Sequence, residues 1–330
     1  MKQFLQKKAK LVFLCMLVLL TCTACANPRG RDGKTLADQI IASEETTIDA
    51  SKINYKDISD KKLKKEIKKN IKDGEYTIQP TTFKESMSKG WFEGLIVWPI
   101  AQIINLISSK TDAGVGIILT TLLIQMLVFV FTRKSQMSTQ RMQEISPEIQ
   151  KIQNKYKDKT DERSKMQMAQ EMQNLYQKYD IHPFGSMLIT FIQLPIMMGM
   201  YYATMRSVSV VSGSFMGISL AGTPLDGFKA LDIAYIAIYV LMVIFYIVSM
   251  KLPQWLKKWQ DKKDNVKVKK YAQEETNPMA NSMNMSMYFM TAMICIMYIS
   301  WPMAMSFYWL VSSVIRVCQS LILHQVMNKK

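Results

Sequence analysis

The chain has 330 residues, nearly half of them apolar, and a formal net charge of +16. Its mean hydropathy is nevertheless close to zero, so apolar and charged residues are segregated into separate runs, which argues against a soluble enzyme. The basic excess needs no specific nucleic acid, because most of it flanks hydrophobic runs, where membrane topology accounts for it.

The N-terminus reads as an export signal: Lys2, Lys7, Lys8 and Lys10, then the apolar run Leu11–Leu20, then small residues up to Cys25. The apolar run is shorter than the ~20 residues a span needs. Ala24-Cys25 resembles a bacterial lipobox, although Cys22 stands where leucine is usual. Residues 1–24 are therefore expected to be a lipoprotein signal peptide, with Cys25 lipidated; a retained anchor is the alternative. Three of the five cysteines lie here, and Cys295 and Cys318 lie inside apolar stretches. No disulfide framework or zinc spacing can be built from them, and His182 and His324 have no spaced partners. No cofactor or metal is expected.

Residues 25–82 are polar and lysine-rich, with six lysines between Lys61 and Lys69 around Leu63 and Ile67. They are expected to form an extracytoplasmic tether with one solvated helix. From Trp91 the chain turns apolar. The run Leu95–Ile107 is too short to cross a bilayer and suits an interfacial amphipathic helix, with Pro99 as a kink or start and Gln102 interrupting its apolar face.

Five stretches have the composition of spans: Gly114–Thr132, Met187–Met205, Ile233–Met250, Met287–Ile299 with its flanks, and Met303–Leu323. The last two are expected to form a tight hairpin. Residues 133–186 carry ten Lys and Arg, 251–284 carry eight, and the intervening loop 206–232 carries two, Arg206 and Lys229. The positive-inside rule then puts both basic loops in the cytoplasm and the N-terminal region outside. The export signal demands the same orientation.

The first basic loop, 134–182, holds two apolar stripes at helical spacing. Met142, Ile145, Ile149, Ile152 and Tyr156 form one; Met168, Met172, Leu175 and Tyr179 form the other, after a polar break. This predicts a cytoplasmic helical hairpin, with Ser146 as an N-cap before Pro147. The second, 251–284, is expected to be a flexible basic loop. Both loops can also be read as topogenic charge alone.

No nucleophile, metal or phosphate-loop signature is present. The chemistry-bearing feature is polarity inside the spans. Gln125 lies mid-span with Thr121 one turn earlier, Thr190 and Gln193 share a face of the second span, and Ser306, Ser313, Arg316 and Ser320 follow helical spacing in the last. An arginine there costs ~2.5–3.5 kcal/mol on insertion scales. Arg316 therefore either faces a polar cavity or snorkels toward the boundary near His324.

Three stretches then carry a family resemblance. They are MQEISPEIQKIQNKYK at Met142–Lys157, HPFG at His182–Gly185 with FIQLPI at Phe191–Ile196, and WPMAMSFYWL at Trp301–Leu310. In that order they resemble a YidC-type membrane protein insertase of Gram-positive bacteria, over residues 83–327, about three quarters of the chain. The resemblance implies an all-α membrane protein: a five-span core around a hydrophilic groove open to lipid and cytoplasm. It implies insertion of nascent membrane proteins into the lipid bilayer of the bacterial cell membrane, alone or beside the Sec translocon and ribosome, without ATP. Family members carry a groove arginine in the first core span, where this sequence has Gln125. That departure suggests that Arg316 supplies the charge at equal depth on the opposite wall. With a tail of only 328–330, a tail-based ribosome contact is not expected. The competing class is a small-solute transporter, against which stands the lack of an internal repeat of spans.

Overall fold

A computed structural model describes residues 28–157, 159, 161–181, 185–263, 288–289 and 291–328. Cys25 and the export signal lie outside the described residues. The chain divides into two compact units. Among the described residues, four helices are long and apolar enough to cross a membrane: those beginning at Ala113, Leu188, Ile233 and Met303. Of the fourth expected stretch, residues 288–289 and 291–299 are described; 288–289 and 291–298 are helical and 299 begins a turn.

The first unit comprises the chain up to Thr120, Leu194–Tyr235 and Pro302–Tyr308. Its N-terminal part corrects the expectation of a tether. Strand β1 (Thr35–Leu36) pairs in parallel with β3 (Ile53–Asn54), and β2 (Thr46–Asp49) pairs antiparallel with β4 (Glu75–Ile78). Between them runs α1 (Lys61–Asn70), whose N-cap Asp60 accepts from Lys62 N–H and Leu63 N–H. The pieces hold together because their apolar residues converge: Ala37, Ile40, Ile48, Ile53, Ile67 and Ile78 share one buried core. A chain this polar conceals that core, since its isoleucines are spread singly among lysines and acids. The lysines of α1 are solvated as expected, but Ile67 is buried and Leu63 packs on the core.

After α2 (Phe83–Lys89), a π-helical turn (Glu93–Val97) leads directly into α3 (Trp98–Ser108), with Pro99 in its first turn. The polar residues that interrupt this helix have a use. Gln102 Nε2 donates to Ala42 O at 3.1 Å, Asn105 Nδ2 donates to Ile41 O at 2.9 Å, and Trp98 Nε1 donates to Thr81 O at 2.8 Å. Asn105 Oδ1 in turn accepts from Ser207 Oγ at 2.6 Å and Ser209 N–H at 3.2 Å. Its buried amide is thus used on both sides, as burial requires. The other side of α3 and its approach stays apolar and exposed, through Trp91, Leu95 and Leu106.

The membrane helices are α4 (Ala113–Glu144), α7 (Gly185–Arg206), α10 (Ile233–Lys263) and α12 (Met303–Asn328); residues 291–298 form α11. Two of them run well past their apolar stretches. α4 continues twelve residues beyond Thr132, and α10 continues thirteen beyond Met250, so the start of the second basic loop is helix rather than flexible chain. Residues 264–284 of that loop lie outside the described residues.

Short elements follow α7: α8 (Val208–Ser212), the hairpin β5 (Ser214–Phe215) and β6 (Ile218–Ser219), and α9 (Pro224–Ala230). Met216 and Gly217, both at positive φ, make its two-residue turn. Gly114 is required beside it: a Cβ there would fall 2.1 Å from the Phe215 ring, which packs edge-on against Phe307. Val208 and Val211 bury themselves in the same core as Ile40 and Ile67. Ile41 N–H donates to Arg206 O, and Val208 N–H donates to Ile41 O. The end of the second span is thereby stitched to the N-terminal module.

The second unit holds Thr121–Gln193, Ile236–Trp301 and the chain from Trp309. In its basic segment, α5 (Ser146–Lys155) and α6 (Glu162–Lys178) lie against each other around Ile145, Leu175 and Ile181. Ser146 is not an N-cap: it is the first helical residue, Ile145 occupies the cap position, and no side chain caps the helix. The pair is fastened by Lys155 Nζ and Tyr156 OH on Glu171 Oε1, at 2.5 and 2.9 Å, and by Tyr179 OH on Glu148 Oε1 at 2.6 Å. The hydrogen bond from Lys155 holds the Glu171 carboxyl below its ordinary pKa, so this contribution is present at neutral pH and fades as pH falls through that lowered value.

Candidate functional site

The span faces are sorted in an unusual way. On α4 the apolar residues Leu123, Met126, Leu127, Val130 and Phe131 are exposed, while Thr121, Gln125 and Thr132 are buried. A water-soluble helix would turn that arrangement round; in a bilayer the apolar face meets lipid and the polar face needs partners. The buried stripe continues past the expected end of the span. Thr132 Oγ1 accepts from Gln136 Nε2 at 2.9 Å, and Gln140, one turn further, is buried.

The partner of this stripe is on α12. Gln125 Nε2 donates to Ser312 Oγ at 3.1 Å, and Arg316 Nη2 donates to Ser313 Oγ at 3.0 Å. Ser312 and Ser313 are fully buried. Two adjacent hydroxyls thus connect the sequence-selected glutamine with the sequence-selected arginine. The Arg316 guanidinium also lies 5.9 Å from the ring centroids of both Tyr246 on α10 and Trp309 on α12. That is cation–π range, and it lets a half-buried cation stay inside a span. Arg316 is the one charged residue in the five apolar stretches.

The structure brings together Thr121, Gln125, Ser313 and Arg316 as a polar face and its partners. It corrects the equal-depth expectation. Gln125 stands opposite Ser312, one helical turn before Arg316, so the two are offset by ~6 Å at 1.5 Å per residue. Gln193 is half-buried on α7, two residues before the internal Pro195. Ser306, the first residue of the expected α12 stripe, is buried at the other end of that helix, in the first unit.

Ser312, Tyr246 and Trp309 were not singled out from the sequence. Ser312 was hidden because Ser313, its neighbour, already satisfied the stripe. Tyr246 and Trp309 read as ordinary span aromatics, and Trp309 is stacked on Tyr298 at 4.8 Å. Chemically the cluster presents donors: a guanidinium, an amide and hydroxyls. Among the described residues no three His, Cys, Asp or Glu are grouped to hold a metal.

An inside-out helical core, with apolar faces outward and one arginine set among serines and aromatics, defines a polytopic membrane protein. Residues 105–330 match the model of the 60Kd inner membrane protein family, and the chain belongs to this family, the YidC-type membrane protein insertases. It is 30% identical over 237 residues to Membrane protein insertase YidC 1 of Streptococcus pyogenes, covering 72% of this chain and 75% of that one. It is 29% identical over 257 residues to the protein of the same name from Listeria monocytogenes, covering 77% and 78%. It is 28% identical over 238 residues to Membrane protein insertase MisCA of Bacillus subtilis, covering 72% and 80%.

Proposed function

We propose that this chain inserts small nascent membrane proteins into the bacterial cell membrane, using the polar face of α4 and its partners on α12 as a hydrophilic groove. The observation that carries the reading is the chain of contacts Gln125–Ser312 and Ser313–Arg316, which joins buried polar groups to a half-buried arginine along helices whose outer faces are apolar. A polar terminus crossing hydrocarbon loses its hydrogen bonds to water; donors fixed at membrane depth replace them and lower that cost. The substrate's own apolar segment then leaves sideways into lipid. Arg316 takes the place of the groove arginine that the family carries in its first core span. No ATP, metal or cofactor enters this mechanism.

The test is reconstitution of the purified protein in liposomes. Insertion of a small single-span substrate, with no accompanying solute flux, is expected. Flux without insertion would make the protein a small-solute transporter and sink the proposal.

The orientation proposed is N-terminus outside and both basic segments in the cytoplasm, supported by the charge asymmetry of the loops. On this reading the α5–α6 pair first meets the substrate, and the Sec translocon and ribosome are partners on the insertion route. The surface for that meeting differs from the sequence expectation, because Leu175 is buried between Ile145 and Ile181. The exposed methionine is Met166, with Met168 and Met172 half-buried. Met166→Ser/Met168→Ser/Met172→Ser is expected to slow insertion at near-normal abundance, whereas Leu175→Ser is expected to lower abundance. Unchanged insertion by the methionine variant would remove the docking role.

Residues 1–24 are proposed as a cleaved signal and Cys25 as the lipidated N-terminus on the outer face. Cys25→Ser is expected to abolish incorporation of radiolabelled fatty acid and to leave the uncleaved precursor. Full labelling of that variant would place the anchor elsewhere, with Cys22 the first residue to examine.

A further inference from the structure

The exposed side of α10 does not end where its apolar stretch ends. Val240, Ile244 and Ile247 are exposed along one face of the span, and the same face continues at helical spacing to Trp255, Lys258, Trp259 and Lys262. The helix is 31 residues long, or ~46 Å at 1.5 Å per residue, against a hydrocarbon thickness of ~30 Å. An upright α10 with Ile233 at one edge leaves hydrocarbon near Pro253. Trp255 then lies ~3 Å and Trp259 ~9 Å beyond that edge, at the depth where indole rings are favoured. Both rings are held outward, 49% and 61% exposed, and Lys263 Nζ stands 5.6 Å from the centroid of Trp259. Lys257 points elsewhere: its Nζ donates to Glu144 O at 2.5 Å. Two tryptophans one turn apart and the lysines beyond them thus form one outward strip in line with the lipid-facing side.

We propose that this strip, from Trp255 to Lys263, binds the headgroups of anionic phospholipids in the leaflet facing the basic segments. The indoles enter the ester region, where their apolar bodies leave water and their N–H groups keep a partner. Lys258, Lys262 and Lys263 then meet headgroup phosphates. Phosphatidylglycerol-like lipids, with one net negative charge, gain more from three ammonium groups than zwitterionic lipids do. Exposed indoles beside lysines also suit stacking on single-stranded nucleic acid. The continuity of the strip with Ile244 and Ile247 favours lipid, because that face is already directed at the bilayer.

The experiment uses the full-length protein in liposomes that contain brominated phosphatidylcholine or brominated phosphatidylglycerol at equal mole fraction, in both leaflets. The emission removed by Trp255→Phe/Trp259→Phe isolates the two indoles among the six tryptophans. That component is expected to be quenched about threefold more steeply by the anionic lipid. The excess is expected to collapse at about 0.5 M salt, and in Lys258→Gln/Lys262→Gln/Lys263→Gln. Circular dichroism checks folding, and Trp259→Phe alone serves if the double variant fails it. Equal quenching by the two lipids overturns the proposal. So does a glutamine variant that keeps its lipid preference while losing affinity for a ribosomal-RNA oligonucleotide, which would make the strip a nucleic-acid surface.

Discussion

Arg316→Ala is expected to slow insertion of a small substrate by at least about tenfold while the protein accumulates normally. A charge-assisted hydrogen bond contributes ~1.5–3 kcal/mol, and every ~1.4 kcal/mol is a factor of ten. The guanidinium is the strongest donor in the cluster, and its removal leaves Ser313 and Gln125 as neutral donors to an incoming polar terminus. Adding Gln125→Arg is expected to restore part of the rate. The one-turn offset between Gln125 and Arg316 keeps the rescue incomplete, since the new charge sits opposite Ser312 rather than beside Ser313. The check is a liposome insertion time course for the wild type, the single variant and the double variant at matched protein. Normal insertion by Arg316→Ala, or a double variant no better than the single, would show that Arg316 only caps its span between Tyr246 and Trp309.

The largest stability effect is expected at Arg206. Its guanidinium forms an ion pair with Glu93, and Nε donates to Gln39 O at 2.7 Å. The side chains are 5% and 15% exposed. Removing one partner of a buried pair leaves an uncompensated charge, which costs ~3–5 kcal/mol. Arg206→Met is therefore expected to lower the thermal unfolding midpoint in detergent and to open the N-terminal module to protease. Glu93→Gln is expected to do so less, because an amide still accepts from arginine. The double variant Arg206→Met/Glu93→Leu is expected to recover most of the loss, since an apolar pair of similar volume carries no desolvation penalty. A single variant as stable as the wild type would show that the pair is solvated.

Much of the membrane core could be read from the sequence. The starts of the spans at Ile233 and Met303 were legible because apolar runs of that length have few alternatives. Gln125 and Arg316 stood out because polarity inside such runs is costly. Helix ends were less legible. Thr132 and Met250 marked where apolar residues stop, but α4 and α10 continue through lysine- and glutamine-bearing turns that favour helix as strongly as leucine does. The N-terminal module was least legible. Its strands are two to four residues long, too short for an alternating pattern, and part of its core is supplied by Val208 and Val211, distant in sequence. Gln102 looked like a defect in an amphipathic face because its acceptor, the carbonyl of Ala42, carries no signature in side-chain chemistry.

That shared core fixes an order of events during synthesis. Residues 28–82 leave the ribosome early, yet the pocket that Ile40, Ile48 and Ile67 enclose is completed only by Val208 and Val211. At ~5–20 residues per second, the intervening chain takes ~6–26 s to be made. The module's core is therefore complete only after the chain through Val211 has been made and the end of α7 at Arg206 offers Ile41 a backbone partner. The N-terminal module and the end of α7 are thus parts of one folding unit, joined in space although about 130 residues apart in the chain.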